Sequence, residues 1–62
     1  MQYGNLLRVA REFNGDSRAE AAQQIGATRR AVHYWETGKC EPMAIFRKAI
    51  EAYANDALSN RL

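Results

Sequence analysis

What the chain has little of narrows the reading first. Among its 62 residues is a single cysteine, Cys40, so no intramolecular disulfide can form. That is not the pattern of a small secreted, disulfide-stapled scaffold. No apolar run approaches the roughly 20 residues that a membrane-spanning helix requires. No signal-peptide pattern opens the sequence either, so a cytoplasmic location is expected. Low-complexity tracts and β-rich runs are missing, and no glycine-rich phosphate loop is present. Nothing resembles a convergent acid–base or nucleophile pair, so an enzyme is not expected. His33 and Cys40 are the only soft-metal candidates. Two isolated ligands cannot build a tetrahedral zinc site, so neither metal nor cofactor is expected.

What is present suffices for one small core. Hydrophobic residues make up 47% of the chain, six aromatics among them, which argues against disorder. A chain this short buries only about 60% of its unfolded surface, so a single domain of marginal stability is expected.

The formal net charge of +2 is modest, but it is not evenly spread. Arg8 and Arg11 cancel Glu12 and Asp16 in the first part of the chain. Arg47, Lys48 and Arg61 cancel Glu41, Glu51 and Asp56 in the last. The excess lies in residues 17–39, where Arg18, Arg29, Arg30 and Lys39 face only Glu20 and Glu36. A basic patch confined to one segment suits an anionic partner.

Periodicity predicts helices throughout. Tyr3, Leu6, Leu7, Ala10 and Phe13 recur at three- and four-residue spacing, giving a first helix over residues 1–14, weakened at its start by Gly4 and Asn5. Asn14-Gly15 ends it. Asp16 or Ser17 caps a second helix, and Glu20, three residues after Ser17, fits a capping box. Ala19, Ala21 and Ala22 allow close packing, Ile25 is the large anchor, and Gly26 stops the helix. Thr28 caps a third helix that turns Val32 and Trp35 inwards and leaves Arg29, Arg30, His33 and Tyr34 on its other faces. Thr37-Gly38 closes it, and Glu41-Pro42 opens a fourth, with proline in the first turn. Ile45, Phe46, Ala49, Ile50 and Tyr53 form its apolar stripe. The polar residues after Ala54 read as a frayed tail, to which Leu58 and Leu62 add one apolar face. The expectation is an all-α bundle of four short helices, five at most, with a domain at residues 1–54 and a tail at 55–62.

Residues 17–39 resemble the helix-turn-helix of the phage Cro and lambda-repressor, or XRE-type, family. Ala22 stands four residues before the turn glycine Gly26, followed by the Thr28 cap, the core residue Val32 and the ending Trp35-Glu36-Thr37-Gly38. Upstream, Arg11 and Gly15 match a helix-1 arginine and a following glycine. The chain departs from the family at Asp16, usually aliphatic, at Ala21, usually leucine, and in offering one C-terminal helix where two are common.

The resemblance implies a sequence-specific DNA-binding repressor that lays its third helix in the major groove of double-stranded DNA. Arg29 and Arg30 would reach base edges, with Tyr34 and Arg18 beside them. Lys39, Gly38, Thr28 and Ser17 would hold phosphates. Arg11 and Glu36 match a scaffold ion pair. A homodimer on a two-fold symmetric operator would follow, with an interface expected on helix 4 around Phe46, Ile50 and Tyr53. The family also implies a phage or bacterial protein acting at the nucleoid. Two plainer readings stand beside this one. Arg29 and Arg30 suit a solvated helix face, and the same fold serves protein-binding modules such as antitoxins.

Overall fold

The computed structural model describes residues 3–59, which form four helices and no strand. Helix α1 spans Tyr3–Asn14, α2 Arg18–Ile25, α3 Arg29–Thr37 and α4 Ala44–Ser59. The all-α class expected from periodicity is therefore correct. A helix start at Met1 and any docking of Leu62 lie outside the described residues.

Each helix ends where local chemistry tells it to. At the end of α1 the Gly15 amide donates to the Glu12 carbonyl and the Asp16 amide to that of Arg11, the paired bonds of a Schellman motif. At the start of α2 the Ser17 hydroxyl accepts the Glu20 amide at 3.1 Å, and the Glu20 carboxylate accepts the Ser17 amide at 2.7 Å. This is the capping box read from the spacing. Gly26 has φ 87°, the left-handed backbone that only glycine adopts without strain, and this lets α3 start three residues later. Thr28 caps α3 by accepting the Ala31 amide at 3.1 Å.

The core gathers one stripe from every helix. Leu7, Val32, Pro42 and Ile50 are fully buried, and Ala21, Ala22, Ile25, Trp35 and Tyr53 join them. Helix α4 packs along α1, while α3 rests against α1 and α2. The alanines at 21 and 22 bring α2 close to its neighbours, whereas Ala19 faces outwards. Gly4, which weakens a helix on propensity alone, has a tertiary reason to be there. A Cβ at that position would sit 1.8 Å from the Trp35 carbonyl oxygen. The start of α1 and the end of α3 therefore touch backbone to backbone.

Several expectations about the C-terminal half are corrected. Helix α4 begins at Ala44, so Pro42 lies ahead of it, buried in the core, its carbonyl accepting Arg47 Nε at 2.9 Å. The helix runs on to Ser59 with Ala57 buried, so the supposed tail is helical as far as that residue. The polar residues Asn55 and Asp56 face solvent while positions 50, 53, 54 and 57 keep the inward stripe. Ile50 and Tyr53 are core residues and offer no outer edge for a second copy. Phe46 is half-buried, its ring 5.2 Å from that of Trp35. Ile45 and Phe13, both assigned to apolar stripes, are instead largely exposed.

Asp16 does not cap α2. Its carboxylate accepts the Tyr53 hydroxyl at 2.6 Å and the Asn14 side-chain amide at 2.8 Å, tying α4 to the α1–α2 turn. Burial, then the bond to Asp16, hold the Tyr53 hydroxyl well above its ordinary pKa of 10.0.

Candidate nucleic-acid interface

Helix α3 faces two ways. Val32 and Trp35 point into the core, which turns Arg29, Arg30 and His33 to solvent and leaves Tyr34 half-exposed. Arg18, the first residue of α2, reaches the same side. Together Arg18, Arg29, Arg30, His33 and Tyr34 line an open groove of about 460 Å³. Four of these are the residues that the sequence points to as DNA base contacts; His33, weighed there only as a metal candidate, joins them. Its signal in the sequence is its place one turn beyond Arg29 and Arg30.

The charge balance of this face is sharper than the sequence implied. Glu36, one of two acidic residues opposing four basic ones, has only 1% of its side chain exposed. Its Oε2 accepts Arg11 Nε at 2.8 Å and its Oε1 accepts Arg11 Nη2 at 3.1 Å. Hydrogen bonding to Glu36 raises the Arg11 pKa, and Arg11 also donates to the Asp16 carbonyl. The expected scaffold pair is therefore present, joining α1 to the end of α3. The same carboxylate oxygen Oε1 also accepts Arg18 Nε at 3.3 Å. Glu20, the other acid, is engaged in the α2 cap. The cationic groups of Arg29, Arg30 and Lys39 are thus left to dominate the exposed face.

The phosphate-binding expectations fare unequally. Ser17 and Thr28 spend their oxygen lone pairs on caps but keep a hydroxyl proton to donate. Lys39 places its Nζ 5.4 Å from the centre of the Tyr34 ring, a cation–π distance that keeps the ammonium beside the groove. Gly38 is corrected. Its amide donates to the Trp35 carbonyl, and the amides of Lys39 and Cys40 donate to that of Tyr34. This closing turn has spent its donors on capping α3, so Gly38 has no amide left for a phosphate.

Other parts of the surface are less concentrated. A larger open depression of about 620 Å³ between α1 and α4 carries Lys48 and Glu51, one charge of each sign, among Leu6, Ala52 and Leu58. Among the described residues no three His, Cys, Asp or Glu side chains cluster as metal ligands. No helix among them is long and apolar enough to cross a membrane.

The fold and groove together define the class: a small all-helical bundle with a cationic face built on two helices joined by a tight turn. No family model, curated protein or solved structure matches the chain.

Proposed function

We propose that the chain is a sequence-specific DNA-binding regulator, a repressor of the Cro and lambda-repressor type, that reads the major groove with α3. The observation that carries this reading is the groove in which Arg18, Arg29, Arg30, His33 and Tyr34 converge while the opposing Glu36 carboxylate is buried beneath. A major groove about 12 Å wide admits one α-helix, and arginines near the helix N-terminus then meet base edges. Arg29 and Arg30 occupy the first two positions of α3. Arginine suits guanine because its planar fork matches O6 and N7, a contact worth about 1–3 kcal/mol in discrimination. Lys39 and the cap hydroxyls of Ser17 and Thr28 flank the groove and serve phosphate oxygens. One such module spans few base pairs, so two copies act together on a two-fold symmetric site. Repression follows from occupying DNA that polymerase needs.

Fluorescence anisotropy with labelled duplexes tests the assignment. Affinity should fall steeply as salt rises, because each phosphate contact releases counterions. Arg29→Ala and Arg30→Ala should each relax preference for the best site, by about 1–3 kcal/mol, whereas Lys39→Ala should weaken all duplexes alike. Unchanged affinity and selectivity in both arginine variants would sink the proposal. Salt-insensitive capture of a protein partner, with no duplex bound, would favour an antitoxin-like role for the same fold.

A further inference from the structure

Resting on the DNA-binding reading of this face, we propose that Glu36 is a positioning residue for Arg18, holding its guanidinium aimed at DNA before any DNA arrives. The geometry is that of one carboxylate shared by two arginines. Arg11 takes Glu36 through Nε and Nη2 and is itself mostly buried, its side chain 12% exposed. Arg18 takes the same carboxylate through Nε alone, and its side chain stays 42% exposed. A guanidinium held by Nε still has the N–H groups of both terminal nitrogens to offer. Arg18 is itself one of the residues that line the groove with Arg29 and Arg30.

Three physical consequences follow. An arginine side chain has many rotamers, and an anchor at Nε removes much of that freedom before binding. Two arginines sharing one carboxylate leave a net positive charge, so Arg18 stays attractive to an anion while it is held. Because Glu36 is buried, its own charge lies behind Arg18 and not in the path of the DNA. The residue that braces α1 against α3 thus also orients a DNA contact supplied by α2. Lysine at position 18 would keep the charge but could not donate to Glu36 and to DNA at once through a fixed fork.

Two measurements test the proposal. In the free protein, the Arg18 Nε–H should give a slowly exchanging NMR resonance, assigned by its loss in Arg18→Lys and exchange-broadened in Glu36→Gln. Arg29 and Arg30, which lack such an anchor, should give none. On DNA, Arg18→Lys should lose about 10- to 100-fold in affinity, close to the loss in Arg18→Ala. A double-mutant cycle of Arg18→Ala with Glu36→Gln should be strongly non-additive, and one of Arg30→Ala with Glu36→Gln additive. Should Glu36→Gln fail to fold, Arg18→Lys on the intact scaffold still decides. Retention of affinity within about twofold by the lysine variant, or the absence of a slowly exchanging Arg18 resonance, as at Arg29 and Arg30, overturns the positioning role. Failure of the wild-type chain to bind any duplex overturns the DNA reading and this role with it. Wild-type binding with an additive Arg18–Glu36 cycle overturns the positioning role alone.

Discussion

At the scale of single residues, two positions are set by tertiary contact against local propensity. Gly4 sits inside α1, where alanine would normally be better by about 1 kcal/mol. Here an added methyl would meet the Trp35 carbonyl at 1.8 Å, and backbone cannot rotate out of the way. Gly4→Ala should therefore destabilise the protein by roughly 1–3 kcal/mol, seen as a fall in Tm of at least about 5 °C. Asp16, a good N-cap by propensity, instead accepts the Tyr53 hydroxyl at 2.6 Å. Tyr53→Phe leaves the carboxylate short of a donor and should cost about 1–3 kcal/mol in urea denaturation at neutral pH. The pH dependence has a definite sign. The folded state keeps the Tyr53 proton to a higher pH than the unfolded chain, whose tyrosines ionise near 10.0. The stabilisation is complete below that pH and is lost as pH rises from there towards the folded value. Wild-type stability should thus decline more steeply than that of Tyr53→Phe above about pH 10.

At the scale of elements, the boundaries written in side-chain chemistry were legible from the sequence. The Ser17–Glu20 capping box, the Thr28 cap and the glycine stops at 15, 26 and 38 all stand where their residues implied. These signals are local: each needs only a few neighbouring residues to act. The misreadings concern long-range packing. Ile50 and Tyr53 look like the outer edge of a stripe until the packed helices bury them, and the end of α4 looks polar until Ala57 is seen turned inwards. The buried position predicts that Ala57→Glu costs roughly 2–4 kcal/mol, whereas Asn55→Ala, on the exposed side of the same turn, stays within about 0.5 kcal/mol. Thermal unfolding followed by circular dichroism separates the two. Equal stability of both variants would mean that the last turns of α4 contribute nothing to the core. The candidate groove divides in the same manner. Arg29, Arg30 and Tyr34 follow from helical phase alone, but the second bond of Glu36, to Arg18, depends on how α2 and α3 meet.

At the scale of the whole molecule, α1 and α4 act as a platform that sets the angle between α2 and α3. Charges cancel within residues 1–16 and within residues 40–62, so the positive excess of the sequence lies in the segment that carries α2 and α3. Sinking the Glu36 carboxylate into the scaffold makes the groove face more cationic than a count of residues suggests. The central claim is that this face reads DNA sequence. Its most direct test is selection of duplexes from a randomised pool by the purified wild-type protein, followed by sequencing. The account predicts an enriched two-fold symmetric site whose half-sites lie about 10 base pairs apart, with guanines at positions that lose their preference in Arg29→Ala or Arg30→Ala. A pool that emerges with no preferred sequence, or a preferred site that both arginine variants still select unchanged, would contradict it.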